Sequence, residues 1–265
     1  LCERLHCTKG FTEYCTICAY LHDIGKQFIP QSILQKPSKL TDEEFEVMKT
    51  HTTIGYKICM NDLKLRPYAA GPLYHHEALN GTGYPQGLTK KDIPYEGQII
   101  RVADEYDAIV SKRQYKSHIG ITDTIKILID NTKPFSNVDS SVAVRHLSEN
   151  AKLGKDNPII VKALISVVIE DINYEISCSL DYLSNLESTI KRLKIAKDYN
   201  DKMLKASNDK KRQYYFEGVK SYLAPEENPE NFENVLSEYV IAYDNKKAHI
   251  AHLQDEIKKI KKLRV

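Results

Sequence analysis

Apolar residues recur at helical spacing along most of this chain, and no stretch alternates convincingly between apolar and polar as a half-buried strand would. In TEYCTICAYLHD, residues 12–23, this spacing predicts a helix that stops at Gly25. Thr41 followed by Glu44 in LTDEEFEVMKTH makes a capping box, predicting a helix that runs to about Ile58. A short helix is expected to lead into His75. After Pro94, YEGQIIRVADEYDAIVS places Ile99, Val102, Ala103, Tyr106 and Val110 on one stripe. The fold class is all-α.

Residues 1–118 form one group of such helices, and residues 119–175 add two or three more, with a polar loop near FSNVDSS. The richest apolar run, PIIVKALISVVIEDI at 158–172, is interrupted by Lys162 and closed by acids, which predicts a buried helix and not a membrane span. From 176 to 265 the chain becomes a charged helical extension, with PEENPE at 225–230 breaking it. Leu183, Leu186, Ile190 and Leu193 step 3-4-3, as do Ile250, Leu253, Ile257 and Ile260. Each run covers only about two heptads, so two readings stay open: a helical hairpin, or a short coiled coil pairing subunits into a homodimer. The chain starts at Leu1, and LCERLHC reads as the middle of a helix, so it is expected to be a piece of a longer protein.

Charge adds little direction. Against 38 basic residues stand 36 acidic ones, a net charge of +2, which argues against a polymeric nucleic acid partner or a membrane surface. The six cysteines show no framework spacing and fit reduced thiols in a cytoplasmic protein. Cys15 and Cys18 form a C-x-x-C, but no second pair accompanies them and both fall on the inward face of a predicted helix. Buried thiols are the favoured reading.

The chemistry concentrates in the first half. Two adjacent imidazoles are awkward in a core, because both ring nitrogens of each must find partners, yet YHHEALNGTGYPQGL at 74–88 sets His75 beside His76. An acid follows, then a loop with Gly81, Gly83 and Gly87, which suits a tight turn or a close ligand. His22-Asp23, His51 and Asp104 supply further imidazoles and carboxylates. That donor set suits iron, manganese or zinc and not Ca²⁺. An aspartate directly after a histidine can bridge two ions, and ions about 3.5–4 Å apart hold a hydroxide and neutralise charge in phosphate-ester hydrolysis.

HDIGK at 22–26, HHE at 75–77, GTGYPQGL at 81–88 and ADEYDAIVSKRQYK at 103–116 together resemble the HD-GYP phosphodiesterases, a branch of the HD-domain metal-dependent phosphohydrolases. The resemblance covers roughly residues 1–175, strongest over 20–118, and implies an HD-type helical bundle. It implies bacterial signalling enzymes that hydrolyse cyclic di-GMP to linear pGpG, GMP or both, at two or three iron or manganese ions. By motif, His22, Asp23 and Asp104 would serve one ion, with Asp23 bridging, and His51, His75 and His76 the other. Lys26 would reach a phosphate oxygen and act beside Asp23 in catalysis. Tyr84, Arg113 and Lys116 would hold the nucleotide, by stacking and by bidentate contacts. Glu77 would orient an imidazole from behind, and Asp107, one turn after Asp104, would support its helix. The family's first metal ligand would fall before Leu1, as would any upstream regulatory domain, and RQYK stands where RPYR is more usual.

Two other functions compete. An inactive relative would bind cyclic di-GMP as a sensor and signal through its tail, but it need not keep His22, Asp23, His51, His75, His76 and Asp104. A phosphodiesterase for another cyclic dinucleotide would keep them all.

Overall fold

The computed structural model describes residues 1–111, 120–134, 153–224 and 232–265. Arg113, Lys116, the FSNVDSS loop and the break at 225–230 lie outside the described residues. Those that are described form helices, turns and loops with no strand beyond a single bridge between Asn80 and Thr89. The chain divides into two units, one of Leu1–Ile169 with Lys259–Val265, the other of Glu170–Lys258.

In the first unit, helix α1 (Lys9–Leu21) opens where the Thr8 hydroxyl accepts the Phe11 N–H at 3.3 Å. Residues 2–6 are not helical as expected but turn tightly, with His6 at φ 57° and the Cys7 N–H donated to Cys2 O at 3.0 Å. A 3-10 turn, Ile24–Phe28, and the single-turn α2 (Gln31–Leu34) follow. The predicted capping box exists, since Glu44 N–H donates to the Thr41 hydroxyl at 3.2 Å and Thr41 N–H to the Glu44 carboxylate at 2.8 Å. The expected single helix is nevertheless two, α3 (Asp42–Lys49) and α4 (His51–Asn61), because Thr50 ends one and starts the next. That break puts His51 at the head of a helix, where its ring is buried.

Helix α5 (Ala70–Tyr74) delivers His75 at its C-terminal end. Helix α6 (Tyr95–Val110) buries Gly97, Gln98, Ile99, Ile100 and Val102, while Ala103, expected on that stripe, is exposed. α4 packs against the 3-10 turn and α5, and α5 also packs against α1 and α6. Helix α7 (Ile121–Asn131) lies against α6 and buries Ile125, Leu128 and Ile129. Cys15, Cys18 and Cys59 are buried thiols of this core.

The 158–172 run begins helix α8 (Pro158–Leu204), with Ile160, Val161, Leu164 and Val168 buried. In the second unit this helix continues, joined by α9 (Asp209–Tyr222) and α10 (Phe232–Lys262). His249 meets Glu175 at 2.8 Å and Glu233 meets Lys197 at 2.6 Å, so α10 runs antiparallel to α8. Leu193, Ala196, Val219 and Phe232 form the unit's core, and Leu186, Ile250, Leu253 and Ile257 are buried along the two helices. The helices that carry the two heptad-like runs therefore pair antiparallel within the chain. No helix among the described residues is long and apolar enough to cross a membrane.

Candidate metal centre and adjoining cavity

Local main-chain contacts aim three of the histidines. His22 caps the end of α1, and its Nδ1 lies 2.6 Å from Ala19 O. His51 Nδ1 lies 2.7 Å from Met48 O, and His75 Nδ1 lies 3.0 Å from both Gly71 O and Pro72 O. A carbonyl only accepts, so each Nδ1 carries a hydrogen, and the Nε2 of each ring that is neutral is left with a lone pair. All three Nε2 atoms face one carboxylate. Asp23 Oδ2 is 3.1 Å from His22 Nε2, while Oδ1 is 3.5 Å from His51 Nε2 and 3.8 Å from His75 Nε2. Asp104 Oδ1 lies 3.6 Å from His22 Nε2. His76 completes the set, its ring centroid 4.1 Å from that of His75.

Two groups of donors come within 4.8 Å of one another: His51, His75 and His76, and His22, Asp23 and His75. His75 belongs to both, a sharing that the motif assignment did not contain. Close packing brings these elements together. A Cβ on Gly25 would stand 2.0 Å from His51 O, so only glycine lets the 3-10 turn lie this tightly against α4.

The electrostatics suit a cation site. Burial lowers the His51, His75 and His76 imidazoles, and neighbouring histidines push the same way. His22 goes the other way, where burial is overcome by the carboxylates of Asp104 and Asp23 and the group is raised to about 10. Burial would raise Asp23, but His22 and the Lys26 ammonium, 2.5 Å from Oδ2, hold it well below the usual carboxylate range. His22 Nε2 and Asp23 Oδ1 are buried without a hydrogen bond. Buried polar atoms without a partner are costly, and a divalent ion would meet Asp23 Oδ1 and take the place of the His22 proton, so the donor set fits one or more divalent ions.

Beside the centre lies a cavity of about 410 Å³ lined by Phe45, His76, Thr82, Tyr84, Arg101 and Lys155 among others. The Tyr84 ring stacks on His76 with centroids 4.6 Å apart and meets Phe45 edge-on at 6.1 Å. Burial raises the Tyr84 phenol, so it stays protonated. Arg101 donates from Nε to Asp156 at 2.8 Å and from Nη1 to His76 O at 3.3 Å. Phe45, Arg101 and Lys155 were not identified from the sequence. Arg101 alone has a local signal, since three residues before Asp104 it shares that residue's helix face.

One supporting assignment needs correction, and the other, Asp107, acts on its own helix as expected. Glu77 does not orient an imidazole, because the Nδ1 atoms of His51 and His75 are taken by main-chain carbonyls. Its carboxylate instead accepts the N–H groups of Gln86 at 2.7 Å and Leu88 at 2.8 Å. Asp107 is exposed and accepts the Ser111 hydroxyl at 3.0 Å, within its own helix end.

Comparison with known proteins places the chain among HD-domain proteins. The model of the HD domain family matches residues 1–142. A cyclic di-GMP phosphodiesterase of Thermotoga maritima is 47% identical over 119 residues, 44% of this chain and 32% of that protein. The cyclic di-GMP phosphodiesterase response regulator RpfG of Xanthomonas campestris is 42% identical over 116 residues, 43% of this chain and 31% of its own. A 3'3'-cGAMP-specific phosphodiesterase 2 of Vibrio cholerae is 39% identical over 121 residues, 43% of this chain and 23% of its own. The chain thus spans no more than about a third of the length of these curated relatives.

Proposed function

The chain belongs to the HD domain family, and from that premise we propose that it hydrolyses cyclic di-GMP as a metal-dependent phosphodiesterase of the HD-GYP branch. The observation that carries the reading is the convergence of three Nε2 atoms, from His22, His51 and His75, on the carboxylate of Asp23. The similarity to phosphodiesterases of cyclic dinucleotides supports the substrate class.

His22, Asp23, His51, His75, His76 and Asp104 would hold two or three ions, iron or manganese by donor type. Bound there, the ions supply an activated water and offset the charge that grows on the phosphoryl oxygens. The protein's own groups do the rest. The carbonyls of Ala19, Met48, Gly71 and Pro72 fix the tautomers and ring orientations, as outer partners of ligating histidines do. Lys26, a third exposed and paired with Asp23, sets a cation at the cluster that a phosphate oxygen would meet. One nucleotide would enter the cavity, with its base against Tyr84 and Phe45 and its phosphate toward the Arg101 and Lys155 wall. Arg113 and Lys116 would grip the same ligand. Water adds across a P–O bond of the ring, giving linear pGpG, and a second cut gives GMP. The setting we infer is bacterial second-messenger signalling in the cytoplasm.

A hybrid cyclic dinucleotide is the second reading, favoured by the similarity to the cGAMP-specific relative. Both are tested by turnover of cyclic di-GMP and 3'3'-cGAMP, with the chain loaded anaerobically with Fe²⁺ or Mn²⁺ and products followed by chromatography. Linear product that vanishes in Asp23→Ala is expected. Binding without turnover would instead make the protein a sensor, and neither binding nor turnover would overturn the substrate class.

A further inference from the structure

Glu77 is 1% exposed, sits beside a ligand histidine, and spends both carboxylate oxygens on the backbone of the glycine-rich loop. We propose that Glu77 is a positioning residue: it latches the 81–88 loop against the 76–78 backbone and so holds Tyr84 as the wall of the nucleotide cavity. The naming of the ligand rests on the function proposed above, but the latch itself does not.

The geometry runs through three contacts. Gln86 and Leu88, on the far side of Tyr84, donate to Glu77, and a carboxylate that receives two amides forms stronger bonds than neutral pairs do. On the near side, Gly83 lies so close that a Cβ there would be 2.5 Å from Glu77 Cα and 2.3 Å from Ala78 N. At the centre, the Tyr84 N–H donates to His76 O at 3.2 Å. The loop is thus pinned before, at and after Tyr84. Pinning fixes the phenol ring, which stacks on His76 at 4.6 Å and forms the cavity corner with Phe45.

The inference explains why the acid follows the histidine pair directly. Residue 77 turns its side chain to the loop while residues 75 and 76 face the metal cluster. A residue ordering only its own helix end would not reach nine and eleven positions ahead.

The test uses the full chain with Glu77→Gln, Glu77→Ala and Glu77→Asp. Amide hydrogen exchange is followed by mass spectrometry, alongside Mn²⁺ retention and steady-state kinetics with cyclic di-GMP. In the Gln and Ala variants, peptides covering 80–89 should exchange at least about tenfold faster, while α1 and α4 peptides keep wild-type rates. Mn²⁺ retention should hold, and KM should rise about tenfold with kcat within about threefold. Glu77→Asp, which keeps the charge, should recover part of both effects. The near-isosteric Gln variant carries the test where Ala fails to fold. Unchanged loop exchange in that variant would overturn the latch, and faster exchange with unchanged KM would overturn the positioning role. If the wild type turns over no cyclic di-GMP, the proposed function alone fails. Loop exchange then still reads the latch, and the Kd for the dinucleotide replaces KM.

Discussion

His51 Nε2 and His75 Nε2 lie 3.2 Å apart, and neither has a hydrogen to give the other. Each ring spends its only N–H on a main-chain carbonyl, Met48 O for His51 and Gly71 O and Pro72 O for His75. Two lone pairs face each other across a hydrogen-bond distance without a proton between them. Burial works against supplying one, because it lowers the affinity of both rings for protons. A divalent cation would resolve the conflict, with His51, His75 and Asp23 as the residues that would hold it.

Added Mn²⁺ or Fe²⁺ should therefore stabilise the protein, by about 2.7 kcal/mol at a free concentration a hundred times the Kd. Differential scanning fluorimetry of the first unit's transition, with and without a chelator, measures the effect. His75→Ala removes the donor shared by both groups and should abolish the Tm rise, whereas removing exposed Asp107 should leave it intact.

Without metal, stability should peak near pH 6.5. His51, His75 and His76 are depressed below the ordinary 6.5, mainly by burial, so their contribution is present above 6.5 and is lost as acid protonates the unfolded chain first. His22 is raised to about 10 by Asp104 and Asp23 against its burial, so its contribution is full below 6.5 and fades as pH climbs toward 10. Tm measured with chelator from pH 5 to 9.5 should fall on both sides. A curve still rising above pH 8 would contradict the His22 assignment. Metal binding at pH 7 should also release the His22 proton, read as a buffer-dependent calorimetric enthalpy.

Gly25→Ala should damage the site without touching a ligand. The new Cβ would meet His51 O at 2.0 Å and Gly55 N at 2.7 Å, both backbone atoms that cannot rotate away. The turn and α4 must separate, which parts Asp23 from His51. Overpacking of this kind costs about 1–3 kcal/mol. Thermal unfolding should show that loss, and Mn²⁺ affinity should fall by more than tenfold, since 1.4 kcal/mol corresponds to about a factor of ten. Gly10→Ala, with nothing near its Cβ, is the control.

What could be read from the sequence was whatever sits in short windows. His22-Asp23, His75-His76 and the glycine loop announce themselves because their chemistry is local and unusual. The all-α class followed from apolar spacing, and the Thr41–Glu44 capping box from a four-residue pattern. Tertiary packing decided what was missed. Thr50 splits one expected helix in two, and a strong periodic pattern runs straight through it. Glu77 was assigned to an imidazole because its neighbours in sequence are histidines, while its partners lie nine and eleven residues on. Phe45 and Lys155 come to the cavity from distant elements, the latter where Leu79 N–H donates to Lys155 O at 2.9 Å. No local signal links such positions.

The pair formed by Arg101 and Asp156, separated by 55 residues, offers the sharpest stability test. The Asp156 side chain is wholly buried and Arg101 nearly so, with Nε 2.8 Å from Oδ1. Removing one partner of a buried pair strands the other charge, at a cost of about 3–5 kcal/mol, while replacing both with apolar groups is often neutral. Arg101→Met alone should therefore destabilise the protein strongly, and Arg101→Met with Asp156→Leu should recover part of the loss in denaturant unfolding, the rest staying with Glu105, whose carboxylate lies 3.6 Å from Arg101 Nη2. Activity should part company with stability. The double variant still lacks the guanidinium that holds His76 O at 3.3 Å and lines the cavity, so its KM for the dinucleotide should stay raised. Full recovery of both would reduce Arg101 to a scaffold residue, and recovery of stability alone would place it in the ligand's wall.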